Sequence, residues 1–166
     1  AEGNYSAKVK FKDLMSESVI DEMKNLGLDS YGDLTMTFLL AVKSDNTFEI
    51  NIDRDALHKE FMGSFKDSMT EAFKKQWLSF NIPEDQFDTV ARQYNYESFD
   101  AYMEGQLNSL ITSIDATLES AHQTGTWSRN GNILLLSGEE AELQKDGSLK
   151  MNIAYSKSKI NLTFEK

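Results

Sequence analysis

Cysteine is absent from the chain. That removes a disulfide framework, a thiolate metal site and a cysteine nucleophile at one stroke, and is compatible with either redox compartment. Arginine is scarce, with only Arg54, Arg92 and Arg129. The formal net charge is −10. Nucleic-acid binding needs Lys and Arg to neutralise phosphates, so no nucleic-acid partner is expected. Attraction to an anionic membrane surface is disfavoured for the same reason. No apolar run approaches the roughly 20 residues of a membrane-spanning helix. The longest apolar clusters, Phe38 to Val42 and Ile133 to Leu136, have strand length. No membrane-spanning segment is expected.

Catalytic motifs are also missing. Gly-x-Ser-x-Gly does not occur, nor does a Gly-rich phosphate loop. Histidine is limited to His58 and His122, far apart in the chain. A zinc site needs three or four ligands, so both read as surface or helix-end histidines. Asp29-Ser30-Tyr31-Gly32-Asp33 lacks the spacing of a calcium-binding EF-hand loop. Acidic residues such as Asp45, Asp53 and Asp55 read as solvated charge, and no pair is singled out as a carboxylate dyad. The expectation is a protein that is not an enzyme and holds no metal or cofactor.

What is present is pattern. A chain of 166 residues suits a single domain, 1–166, burying roughly 70% of its unfolded surface. Tyr5, Ala7, Val9 and Phe11 alternate with polar residues, as in a half-buried strand. Lys8, Lys10 and Lys12 on its other face suit an edge strand. Ser16 reads as an N-cap, with Met15 and Ile20 as a hydrophobic staple. The helix that follows is expected to bury Val19, Ile20, Met23 and Leu26 and to stop at Gly27. Leu34, Met36, Phe38, Leu40 and Val42 form a second strand, and a turn at Asp45-Asn46 leads to its partner, Phe48, Ile50 and Ile52.

Residues 54–121 have helical periodicity. Leu57, Phe61, Phe65, Met69, Phe73 and Trp77 recur every four residues. Against a 3.6-residue turn that stripe drifts about 40° per step. Pro83, the only proline, suits the first turn of a second helix carrying Phe87, Val90, Ala91 and Tyr94. After a break at Asn95-Tyr96 comes a third, with Phe99, Met103, Leu107, Leu110, Ile111, Ile114 and Leu118. From Thr124 to Lys166 the alternation returns to period two. Asn130-Gly131 favours a type I′ turn, and Asp146-Gly147 makes the next. Leu149, Met151, Ile153 and Tyr155, then Ile160, Leu162 and Phe164, keep one face apolar. The fold class expected is α+β: an antiparallel meander or partly closed barrel of about eight strands, with about three helices inserted near residues 54–121.

Several pieces of the closing segment resemble one known group. They are Gly125-Thr126-Trp127, the hairpin Arg129-Asn130-Gly131-Asn132, the turn Lys145-Asp146-Gly147-Ser148-Leu149, and Leu162-Thr163-Phe164-Glu165-Lys166. Together, within residues 124–166, they resemble bacterial lipocalin-like domains of envelope or secreted lipoproteins. In ordinary lipocalins the Gly-x-Trp strand opens the barrel, whereas here 124 residues precede it. The resemblance implies a binding domain that is extracellular or in the cell envelope, lipid-anchored in a full-length precursor. Its partner would be a small apolar ligand or an envelope protein. The candidate ligand set is Met36, Phe38, Phe48 and Met151 on the sheet, with Phe65, Met69 and Trp77 facing them from the helices. Stripes at these spacings also build ordinary cores, and Met adapts to irregular apolar ligands. Two readings therefore stand: a ligand-lined interior, or a structural or protein-interaction domain of a surface lipoprotein with a filled core.

Overall fold

The structure, a computed structural model, describes residues 1–155 and 158–166. The side chain of Tyr155, expected on the apolar face, lies outside the described residues. The chain divides into two compact units, each assembled from separated stretches. One comprises Ala1–Val9, Thr35–Arg54 and Thr117–Lys166; the other comprises Lys10–Leu34 and Asp55–Ala116.

The first unit is a nearly closed barrel of eight strands. They are β1 (Gly3–Lys10), β2 (Thr35–Val42), β3 (Thr47–Ile52), β4 (Gln123–Asn130), β5 (Ile133–Leu136), β6 (Glu139–Leu143), β7 (Leu149–Tyr155) and β8 (Ser158–Phe164). Each strand neighbours the next in chain order. Ser6 and Glu165 exchange two backbone hydrogen bonds of 2.8 Å, bringing β1 to β8. Closure of this kind leaves little unpaired edge for other chains to extend. The alternation read from the sequence is the alternation of burial. Met36, Phe38, Leu40 and Val42 are buried on β2, as are Phe48, Ile50 and Ile52 on β3, and Leu149, Met151 and Ile153 on β7.

Two hairpins of the barrel share one turn design. In Lys43–Thr47 the amide of Lys43 donates to the Thr47 carbonyl at 2.9 Å, and Asn46 sits at φ +64°. In Gln144–Ser148 the amide of Gln144 donates to the Ser148 carbonyl at 2.8 Å, and Gly147 sits at φ +90°. Asn and Gly are the residues that reach this left-handed region at least cost. Asp45 accepts from both the amide and the hydroxyl of Thr47, and Asp146 accepts likewise from Ser148. These bonds hold both carboxyls below the ordinary aspartate value of 3.8, the hydroxyl being the larger cause in each. A depressed folded-state pKa contributes stability above the ordinary value, and that contribution is lost as pH falls through the depressed one. NMR titration is expected to place both midpoints below 3.8. Thr47→Val should raise that of Asp45 and Ser148→Ala that of Asp146. Unmoved midpoints would remove the hydroxyls from the account.

Two other turns depart from the sequence reading. Asn130 pairs with Ile133, so the loop residues are Gly131 and Asn132. Only Gly131 has positive φ, at +63°. That is the pattern of a type II′ turn with Gly first, not the type I′ turn expected at Asn130-Gly131. The type I′ pattern occurs one hairpin later, at Ser137 (φ +48°) and Gly138 (φ +95°), between Leu136 and Glu139.

The second unit is helical. Its first stretch holds α1 (Glu17–Asn25) and α2 (Ser30–Asp33), where one helix was expected. Its second holds α3 (Arg54–Glu60) from Asp55 onward, α4 (Lys66–Ser79), α5 (Phe87–Gln93) and α6 (Phe99–Glu119), which begins in this unit. A wide π-type turn, Phe61–Phe65, joins α3 to α4, with Gly63 off helical geometry at φ −94°, ψ −123°. A wider turn rotates less per residue, so it takes back part of the drift of the four-residue stripe. Leu57, Phe61, Phe65, Met69 and Trp77 accordingly all stay buried.

Three helices end alike. At α1, Leu28 donates to the Met23 carbonyl and Gly27 to that of Lys24. Ile82 and Asn81 repeat this on Trp77 and Leu78, and Tyr96 and Asn95 on Ala91 and Arg92. Gly27, Asn81 and Asn95 have φ between +61° and +72°. This is the Schellman arrangement, which satisfies the last helical carbonyls. At the start of α6, the Ser98 hydroxyl accepts from the amide of Ala101 at 3.1 Å. Ser16 does not cap α1 in this way; its hydroxyl lies 3.0 Å from that of Ser18.

Aromatic rings make the core of this unit. Phe11, Tyr31, Phe61 and Phe65 form one cluster, with Phe61 edge-on to Phe65 at 5.2 Å. Trp77, Phe87, Phe99 and Tyr102 form a second. Tyr96 packs on α6 where Gly105 leaves room, since a Cβ there would meet its ring at 2.5 Å. Tyr94, expected on the apolar face of α5, is instead 59% exposed. The larger correction concerns α1, in which no residue is buried. Val19, Ile20 and Met23 are only half-buried, and Leu26 is 55% exposed. An apolar stripe marks the greasy side of a helix but does not provide its cover. Few buried contacts mean easy local opening. The amides of α1 are therefore expected to exchange with deuterium faster than those near Met103 and Leu107 of α6, and equal protection would contradict this packing.

Candidate functional site: a groove in the helical unit

The residues that end α1 also begin a large cavity. The Schellman turn at Gly27 reverses the chain into Leu28, Asp29 and α2. Gly27 lies against Ala72 of α4, and a Cβ on Gly27 would approach that of Ala72 to 3.8 Å. Beside this contact runs an open groove of about 1090 Å³ between Lys24–Ser30 with Asp33 on one wall and α4 on the other. Leu26, Leu28, Ala72 and Phe73 are its apolar residues. Asp29 and Asp33 stand with Lys24 on the first wall, and Asp67 and Glu71 with Lys75 on the second. A second cavity, about 270 Å³, lies next to α1 and is lined by Met15, Ile20, Met23 and Gly32 among others. The two share Lys24, Asp29 and Asp33.

Ion pairs engage part of this acidic set. Asp33 meets Lys12 at 3.7 Å and Glu71 meets Lys74 at 3.4 Å, both exposed. Exposed pairs are weak, about 0–1 kcal/mol each. Asp29 and Asp67 have no ion pair among the described residues. Ser30 lines the groove, and its buried hydroxyl has no hydrogen-bond partner among the described residues.

The candidate ligand set from the sequence is distributed over both units. Met36, Phe38, Phe48 and Met151 are on the buried face of the barrel, none more than 5% exposed. Phe65, Met69 and Trp77 are buried in the helical unit. Phe48 and Met151 border a barrel cavity of about 100 Å³, together with Gln123, Leu136 and Glu139. None of the seven lines the large groove. Sequence reasoning missed the groove because Leu26 is expected on a covered helix face, and Leu28 and Ala72 belong to no expected apolar stripe. Gly27 was the available signal: a helix stop followed by Leu28-Asp29-Ser30 turns the chain beside α4.

Trp127 is partly exposed, and its indole nitrogen donates to the Lys43 carbonyl at 2.8 Å while its amide donates to Asn46. It thus pins the β2–β3 turn. Each histidine meets one carboxylate, His58 with Asp115 at 2.8 Å and His122 with Glu49 at 3.2 Å. Glu49 is held below its ordinary value of 4.5, first by its bond from Lys43 and then by that from His122. No group of three or more potential metal ligands occurs among the described residues. No helix among them is long and apolar enough to cross a membrane. No protein-family model, curated protein or solved structure matches the chain.

Proposed function

We propose that this is a non-enzymatic binding protein, extracellular or in the cell envelope and lipocalin-like in its barrel, whose ligand occupies the groove of the helical unit. The observation that carries this reading is the size and lining of the groove. Ligand sites are commonly 300–1,000 Å³ with apolar walls and a few polar groups. The groove, at about 1090 Å³, reaches that size with Leu26, Leu28 and Phe73 exposed to it. The barrel cavity, at about 100 Å³, has room for only about three waters. The support for a ligand thus goes to the helical unit, and the barrel acts as scaffold. A structural domain with a filled core is the other reading, and the two separate on ligand binding. Chemical-shift mapping with a set of small amphiphiles is expected to perturb Leu28, Ala72 and Phe73. Perturbations gathered at Phe48 and Met151, or none at all, would overturn the assignment.

A further inference from the structure

Charge is not shared evenly between the two units. The helical unit holds eight Lys and Arg against seventeen Asp and Glu, a net charge of −9. The barrel unit holds nine against ten, a net charge of −1. Almost all the excess acid therefore lies on the unit with the groove. Within the groove, Asp29 and Asp67 occupy opposite walls without ion pairs among the described residues. The wall formed by α4 runs from Ala72 to Gln76, and Phe80, just past the end of the helix, follows at the same four-residue spacing. Phe80 is 64% exposed and Leu26 55%. Ser30 adds a buried hydroxyl without a hydrogen-bond partner among the described residues. The site thus combines the apolar side chains of Leu26 and Phe73, carboxylates on both walls that outnumber Lys24 and Lys75 four to two, and an unmet hydrogen bond.

We infer that the groove takes a cationic amphipathic peptide segment. Its apolar side chains cover Leu26, Phe73 and the wall towards Phe80. Its lysine or arginine side chains reach Asp29 on one wall and Asp67 on the other. A peptide suits the open form of the groove, because side chains at helical spacing can follow such a wall. A basic partner is selected over an acidic one by the field of the whole unit, which steers encounter and weakens with salt. The inference rests on the groove being the binding site and adds the chemistry of the partner.

The test uses the full chain and three labelled peptides with leucine at identical helical positions. Lysine, glutamine or glutamate fills the remaining positions, and binding is read by fluorescence anisotropy. The lysine peptide is expected to bind, more weakly as salt rises. Asp29→Asn with Asp67→Asn should weaken it about tenfold, at about threefold for each exposed carboxylate. Glu84→Gln with Asp85→Asn removes the same charge elsewhere in the unit and should change affinity by less than about twofold. Equal binding of the glutamate peptide overturns the cationic assignment and leaves the groove reading standing. An equal loss in both double variants assigns the effect to diffuse charge and overturns the site. If no peptide binds while small amphiphiles still perturb Leu28 and Phe73, the partner is not a peptide and the groove reading survives. If neither binds, both fall.

Discussion

Phe61→Ala is expected to lower the unfolding free energy by about 4 kcal/mol, the range for Phe truncation in a packed core being about 3–5. Phe61 has no exposed surface. Its ring lies 5.2 Å from Phe65 at 87°, 6.3 Å from Phe11 and 6.4 Å from Tyr31. Edge-to-face pairs add about 0.5–1.5 kcal/mol each beyond area burial. The position also lies at the start of the π-type turn Phe61–Phe65, so its neighbours are poorly placed to collapse into the space left behind. For a chain of this length the loss corresponds to a melting temperature lower by about 10 °C. Urea unfolding checks it. Phe80→Ala, at a 64% exposed site, should stay within about 0.5 kcal/mol. A loss below about 1.5 kcal/mol at Phe61 would contradict the packed aromatic cluster.

Gly125→Ala is expected to destabilise the barrel by about 2 kcal/mol, although only a methyl group is added. Gly125 faces Phe48 in the β3–β4 register. A Cβ there would stand 2.9 Å from the Phe48 ring and closer still to the Ser137 hydroxyl. The Phe48 ring has no easy retreat, and the Ser137 hydroxyl, on an exposed residue, escapes only by changing rotamer. Phe48 is 3% exposed, and Ser137 is held at φ +48° in its turn. The glycine of Gly125-Thr126-Trp127 is thus a steric requirement, with a ring laid across a strand that lacks a side chain. Ser137→Gly removes one of the two clashes and relieves the left-handed backbone. The double variant should therefore recover about half the loss, a coupling measurable as a double-mutant cycle. Simple additivity would show that the two sites do not touch.

Much of the barrel is legible in the chain because its rule is local. A strand with one buried face repeats every two residues, so Met36 to Val42 and Leu149 to Ile153 declare themselves. The turn at Asp146-Gly147 is equally local, since aspartate binds the amide two residues on and glycine takes positive φ. The Asn130-Gly131 turn shows where local rules stop. Asn-Gly and Gly-Asn both suit two-residue loops, and the choice falls to pairing across β4 and β5. Placing Trp127 opposite Leu136 puts Gly131 and Asn132 in the loop. Ser137-Gly138 carries a weaker local signal and adopts the type I′ pattern because Leu136 and Glu139 are already paired.

The groove was not legible for a related reason. Val19, Ile20, Met23 and Leu26 mark a helix face that favours burial, and the periodicity is sound. Periodicity says nothing of whether another element reaches that face. The Gly27 turn places α1 beside α4 at Ala72 and leaves Leu26 uncovered.

The sequence by itself determined what kinds of element form, which face of each strand is apolar, where helices stop, and the acidic balance of the whole chain. Those properties depend on neighbours within a few residues, or on simple addition. Tertiary structure alone decided the closure of β1 onto β8 through Ser6 and Glu165, the register that selects each turn type, and the concentration of negative charge beside an open groove. Each of these brings together residues distant in the chain, and its free energy exists only once those distant surfaces meet or, as at Leu26, fail to meet.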